Sequence, residues 1–161
     1  MMFDNLNVSR EVKQALLNYQ NLLLKWNKVI NLISRNSETD IWERHILDSL
    51  QLLKYIDFSD MIIDIGSGGG FPGIVLSICG VKNTVLIESD KKKSVFLAQA
   101  SKLSSNKIII VDERIDEKFN MNCDILTSRG FSSVTNILGV TEGIKRSEER
   151  RVGKECRSRW S

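Results

Sequence analysis

The sequence predicts an α/β fold, a Rossmann-like, doubly wound parallel sheet with a helical extension in front of it. Three observations point there. Beyond Asp57, short apolar runs alternate with helical patterns, the arrangement of strands joined by crossover helices. The first run ends in a glycine cluster, Gly66-Ser67-Gly68-Gly69-Gly70, and the only proline, Pro72, follows it. Ahead of these, residues 9–30 carry one apolar stripe at helical spacing.

Ser9 is placed to cap the first helix, with Glu11 in the first turn, where the helix dipole favours an anion. Val12, Leu16, Tyr19, Leu23, Trp26 and Ile30 form the stripe, and Leu17 and Leu24 widen it. Asn31 to Asn36 is a break. Ser37-Glu38-Thr39-Asp40 resembles a capping box opening a second helix, with Trp42, Ile46, Leu50 and Leu53 on its inner face. On that helix Arg44 and Asp48 are spaced for an ion pair beside His45.

Met61-Ile62-Ile63-Asp64-Ile65 suits a buried strand. Pro72 stands where the next helix starts, a position that tolerates its missing N–H; Ile74 to Cys79 continue that helix and Gly80 stops it. Thr84 to Glu88 form a second strand, and Asp90 caps a helix carrying Val95, Phe96, Ala98 and Leu103. Lys107 to Val111 and Cys123 to Ser128 are a third and a fourth strand, and Phe131 to Leu138 a further helix. Four strands leave the sheet unfinished. Lys145 to Ser161 has no helical or strand period and reads as a basic, disordered or non-native tail. The expected domains are a helical extension over 1–57, a partial Rossmann-like domain over 58–144 and the tail over 145–161.

Composition narrows the function. Of 161 residues, 42% are hydrophobic and 27% charged, which suits a single soluble core. The net charge of +3 is local: residues 145–161 hold seven Lys/Arg and three Asp/Glu, and the other 144 residues are nearly neutral. An RNA-binding surface must therefore be a patch. Lys91-Lys92-Lys93 is either a solvated helix start or a phosphate contact. Three scattered cysteines and one histidine exclude a disulfide framework and a histidine-rich metal site, and no metal is expected. Cys79 and Cys123 read as small core residues. With no membrane-length apolar run and no secretion signal, a cytoplasmic location is expected.

The chemistry lies in Asp64-Ile65-Gly66-Ser67-Gly68-Gly69-Gly70-Phe71-Pro72-Gly73. Glycines between strand and helix let a ligand approach the backbone without meeting a Cβ. Glu88, 22 residues after Gly66 and at the end of the next strand, can accept hydrogen bonds from a ribose diol. A dinucleotide fingerprint needs glycine at its sixth position, where this chain has Phe71, and a phosphate loop needs a lysine that is absent between Asp64 and Val81. S-adenosylmethionine fits better, since it has no phosphate and an acid such as Asp64 can attract its positive groups. The acceptor follows from what is missing. After the fourth strand stands Thr127-Ser128-Arg129-Gly130-Phe131, not the Asn/Asp-Pro-Pro-aromatic cluster of exocyclic amino methylation, and Cys123 precedes its strand instead of following it. A ring nitrogen such as guanine N7 needs alignment more than a base.

Trp26-Asn27-Lys28 with Asn31-Leu32, then Arg44-His45-Ile46-Leu47-Asp48-Ser49, IDIGSGGGFPGIVLSI and Ser128-Arg129-Gly130-Phe131-Ser132 together resemble the RsmG (GidB) family, bacterial methyltransferases of guanine N7 in small-subunit (16S) ribosomal RNA. The resemblance runs from about Leu16 to Leu138. It implies a Rossmann-like S-adenosylmethionine-dependent methyltransferase fold, with small-subunit ribosomal RNA as partner; a monomeric chain is expected. It carries cofactor contacts onto Gly66 and Phe71, onto Ile115 and Asp116 after the third strand, and onto Arg129 after the fourth; Gly68 belongs to the same loop and Glu88 matches the family's acid. It names no catalytic base. Gly130 stands where the family usually has alanine, and the later strands with their Leu-Lys-Gly segment are not seen here. A truncated, inactive chain that at most binds the cofactor is thus one alternative, and an NAD-dependent oxidoreductase another, against which Phe71 speaks.

Overall fold

A computed structural model describes residues 8–115, 119–130 and 144–146. The apolar stripe forms α1, Arg10–Asn27, and the Ser9 hydroxyl caps it by accepting the Val12 N–H at 3.3 Å. Leu16, Tyr19 and Leu23 are completely buried. Trp26 meets Phe96 edge-on at 6.0 Å and donates its indole N–H to Gln99 at 2.9 Å, tying α1 to the sheet domain.

The second helical segment is wound unevenly. Trp42–Leu47 is π-helical, α2 is a single turn at Asp48–Leu50, and Gln51–Tyr55 is 3-10. Trp42, Ile46 and Leu50 face the core as the spacing predicts. The expected capping box does not form. Ser37 pairs with the Ser34 hydroxyl at 2.6 Å, Asp40 lies 3.5 Å from Arg44, and no side chain caps the segment. Nearer partners take both groups. Nor do Arg44 and Asp48 pair: Arg44 reaches back to Asp40 at 3.5 Å, while Asp48 lies 3.8 Å from Arg129.

The main sheet is β1 (Met61–Ile65), β2 (Asn83–Ile87), β3 (Lys107–Val111) and β5 (Ile125–Ser128), all parallel in the order β3-β2-β1-β5. α3, Gly73–Ile78, is entirely buried, and α4, Lys91–Ala100, is capped by Asp90, whose carboxylate accepts the N–H groups of Lys92 and Lys93. Pleat alternation sends Ile62 and Asp64 to one face and Ile63 and Ile65 to the other. On the second face Ile63, Ile65, Val85 and Ile87 pack with Ile115 and Cys123. In register, Ile65 pairs with Ile87 on one side and Ser128 on the other. The chain therefore leaves β1, β2 and β5 at one edge, which brings the glycine loop, Glu88 and Arg129 together.

Three details differ from the sequence pattern. On α4, Val95 and Ala98 face solvent, and Phe96, Leu97 and Ala100 face inward. The run Cys123 to Ser128 is not one strand: Asp124 breaks it, its carboxylate accepting the Met61 N–H at 2.7 Å and its own N–H reaching the Met61 carbonyl at 2.9 Å. The piece before the break, β4 (Met121–Cys123), pairs in parallel with β6 (Ile144–Arg146), so Lys145 and Arg146 lie in a strand and not in an unstructured tail. Pairing with β4 supplies the partner that a local pattern cannot. The helix expected over Phe131 to Leu138 and the rest of the tail lie outside the described residues. Cys123 is buried and Cys79 half-buried, its thiol pushed up to about 12 by burial, in keeping with packing roles.

Candidate active site

The glycine loop is held by hydrogen bonds at both ends. Gly66 and Ser67 donate their N–H groups to the Ile87 carbonyl at 2.9 and 3.1 Å, locking the loop to β2. Gly66, Gly68 and Gly70 all have positive φ. At Gly70 (φ +88°) a Cβ would stand 2.6 Å from Ile74 and 3.0 Å from the Tyr19 hydroxyl, so only glycine fits. Glu88, directly after β2 and buried, accepts the Gly68 N–H at 2.8 Å on one carboxylate oxygen and the Asp90 N–H at 2.9 Å on the other. Each oxygen keeps a further lone pair.

The helical extension braces the loop from the opposite side. The buried Tyr19 hydroxyl donates to the Gly69 carbonyl. Burial and the neighbouring Asp64 raise its pKa, so it stays a donor. Asn27 at the end of α1 accepts the N–H groups of Leu32 and Ile33 at 2.8 and 3.0 Å. That turn puts the Leu32 carbonyl 3.3 Å from where a Gly69 Cβ would be.

Beside the loop stands a mixed cluster. The Phe71 ring is buried, with Tyr19 edge-on at 5.3 Å and His45 stacked at 4.9 Å. The Arg129 guanidinium lies over the same ring, its carbon 5.7 Å from the centroid. It donates to the Arg44 carbonyl at 2.9 Å and also contacts His45 Nδ1. Burial, then the charges of Arg129 and Arg44, lower the His45 pKa to about 4, so the ring is neutral near pH 7. Asp64 is fully buried, accepts the Thr127 hydroxyl at 3.0 Å, and is pushed up to about 7 by burial against the pull of its hydrogen bonds and Arg129. Among the described residues, the buried side-chain atoms without a hydrogen bond are His45 Nε2, Asp64 Oδ2, Arg129 Nη1 and Thr84 Oγ1. All but Thr84 belong to this region.

The structure thus brings together Gly66, Gly68, Phe71, Glu88 and Arg129. The Ile115 side chain is packed against the sheet, and Asp116 lies outside the described residues. Asp64, expected to attract a ligand's positive group, instead links β1 to β5 beneath the loop. Lys91 is engaged with Asp112 at 2.6 Å, whose pKa that bond lowers. Sequence reasoning treats Tyr19 only as a core residue and leaves His45 between two roles. The signal available was local, a polar atom on an apolar helix face for Tyr19 and a place beside Arg44 and Asp48 for His45, and their partners are 50 and 84 residues away.

A family model described as GidB, rRNA small subunit methyltransferase G, matches residues 12–152. The chain belongs to the GidB family. GidB relatives named ribosomal RNA small subunit methyltransferase G include one from Rickettsia prowazekii (strain Madrid E), 48% identical over 97% of this chain and 86% of the relative. The relative from Rickettsia bellii (strain OSU 85-389) is 51% identical over 86% of this chain and 72% of its own length. That from Orientia tsutsugamushi (strain Boryong) is 49% identical over 86% and 70%. Among solved structures, PH1948 from Pyrococcus horikoshii aligns with a TM-score of 0.51 at 15% identity, covering 79% of this chain and 69% of that one. YjhP from E. coli aligns at 0.52 and 11%, covering 80% and 52%. These two likenesses bear out the Rossmann-like α/β fold. Membership of GidB, a methyltransferase family, decides between the two enzyme classes in favour of methyl transfer over nicotinamide chemistry. No helix among the described residues is long and apolar enough to cross a membrane.

Proposed function

We propose that this chain transfers a methyl group from S-adenosylmethionine to N7 of a guanine in small-subunit ribosomal RNA, working in the cytoplasm as a monomer. The observation that carries the reading is Glu88: a buried carboxylate, bonded to the Gly68 amide, that still has acceptor capacity at the mouth of the glycine-rich loop. A ribose diol can use that capacity while the Asp90 and Gly68 amides keep the carboxylate still. The proposed cofactor contacts are Gly66, Gly68, Phe71, Glu88, Ile115, Asp116 and Arg129. In this reading residues 1–57 are a brace on the loop and residues 58–144 carry the cofactor.

When bound, S-adenosylmethionine supplies a methyl group on a positively charged sulfur, open to attack by a lone pair such as that of guanine N7. No proton need be removed first, so the residues have to bind and align. Arg129 contributes a fixed positive charge whose Nη1 has no hydrogen bond. His45 has its Nδ1 lone pair engaged by Arg129, and Asp64 is sealed under the loop; neither is free to act as a base. With His45 neutral near pH 7 and Asp64 buried away from the ligand, the glycine loop and Glu88 set the orientation of the nucleoside.

Calorimetric titration with S-adenosylhomocysteine, alongside NAD, tests the cofactor. Binding of the former alone is expected; binding of NAD alone or of neither sinks the assignment, and the latter result favours an inactive chain. Labelled methyl transfer to unmodified small-subunit RNA, mapped by borohydride–aniline cleavage at 7-methylguanine, tests the product. Label at any other position overturns the N7 reading.

A further inference from the structure

His45 enters the site from the π-helical segment Trp42–Leu47, whose wider turn presents its ring flat against Phe71 at an interplanar angle of 23°. Its Nδ1 meets Arg129 Nη2. A guanidinium is always a donor and never an acceptor. Nδ1 must therefore be the bare lone pair, and the ring proton sits on Nε2. The same Nη2 donates to the Arg44 carbonyl at 2.9 Å, one residue earlier on the segment. Two neutral acceptors thus aim the guanidinium over Phe71. Among the described residues the one carboxylate in ion-pair range, Asp48, is 3.8 Å from Nη1 and its side chain is 60% exposed, so solvent screens that pair; the buried Asp64, which also feels the Arg129 charge, is only partly ionised near pH 7. A carboxylate in the place of His45 would have cancelled the charge it held.

We propose that His45 is a positioning residue: its Nδ1 lone pair holds Arg129 over Phe71 with the positive charge uncancelled, ready for an anionic group, the carboxylate of the methyl donor or a phosphate of the RNA. This rests on the methyltransferase reading for the identity of the anion but not for the geometry. Stacking alone would be a packing role, and the two are separable by chemistry. His45→Phe keeps a ring on Phe71 and removes the acceptor. His45→Asn loses the ring and keeps an oxygen at nearly the position of Nδ1.

Affinity for S-adenosylhomocysteine, affinity for 5′-methylthioadenosine (which lacks the amino-acid carboxylate) and KM for the RNA are measured in both variants and in Arg129→Met. His45→Phe is expected to lose roughly tenfold or more in one arm, and His45→Asn to stay within about threefold of wild type. Loss for S-adenosylhomocysteine but not for methylthioadenosine assigns the anion to the donor's carboxylate; a raised RNA KM with unchanged cofactor affinity assigns it to phosphate. His45→Phe combined with Arg129→Met should be no worse than Arg129→Met alone. Wild-type behaviour in His45→Phe, or failure of His45→Asn to rescue, overturns the proposal. Nitrogen NMR of the imidazole decides without any ligand: a bare Nδ1 and a protonated Nε2 in the wild-type chain are expected, and an Nδ1–H ring refutes it even if no cofactor binds.

Discussion

Tyr19, halfway along α1, donates its hydroxyl to the backbone carbonyl of Gly69 in the glycine loop, a bond across 50 residues of sequence in the fully buried interior. It makes the helical extension a part of the site and not an appendage. Tyr19→Phe leaves that carbonyl without its donor, and an unsatisfied buried acceptor costs about 1–3 kcal/mol. Urea denaturation should show a lower midpoint with an unchanged slope, together with weaker S-adenosylhomocysteine binding. An unaltered midpoint would mean that the bond contributes nothing.

Glu88 joins the loop to the start of α4 through two backbone N–H groups. Glu88→Gln can satisfy one of them but turns an NH₂ toward the other. A stability loss of roughly 1–3 kcal/mol is expected even without ligand, read as a fall in melting temperature of the free protein. If only ligand binding weakens and the free protein melts as before, the anchoring role is wrong.

Gly73 opens α3 against β1. A Cβ there would stand 2.3 Å from Leu86 Cδ2 and 3.1 Å from Asp64 Oδ2. Gly73→Ala should cost about 1–3 kcal/mol by overpacking. Gly130 has φ +67° with nothing within 4 Å of its Cβ position, so Gly130→Ala meets only backbone strain of about 1–2 kcal/mol. Chemical denaturation of both separates the two causes, because added space near Leu86, as in Leu86→Ala, should soften the Gly73→Ala penalty and leave the Gly130→Ala penalty alone.

Asp64 and His45 give opposite pH dependences of stability. Asp64 titrates near 7 in the fold against an ordinary 3.8, so its contribution is full below about 3.8 and is lost as pH rises towards 7. His45 titrates near 4 against 6.5. Its contribution is full above 6.5 and is lost as pH falls towards 4. Between pH 4 and 6.5 the slopes oppose. Relative to wild type, Asp64→Asn should gain stability as pH rises through that window, and His45→Asn should lose it. Melting temperatures at half-unit pH steps read the difference, and parallel curves for all three proteins would refute the assignment.

Much of this molecule is written locally. Steps of three and four from Val12 to Trp26 set α1, Ser9 and Asp90 set two caps, and the alternating apolar runs set the parallel strands. The glycine cluster and Glu88 were legible for the same reason: a strand–turn–helix junction and the end of the next strand must meet at one edge of a parallel sheet whatever the remaining chain does. What only the tertiary structure decided are pairings between groups with equal local claims. Asp48 could pair with Arg44 or approach Arg129, and Lys145 and Arg146 could belong to a tail or to the strand that partners β4. Each choice went to a partner from another element, because packing brings that partner within hydrogen-bond or ion-pair range, or into strand register, without further ordering of the chain. Tyr19 and His45 belong to this second class, and through them the fold supplies the site with a wall.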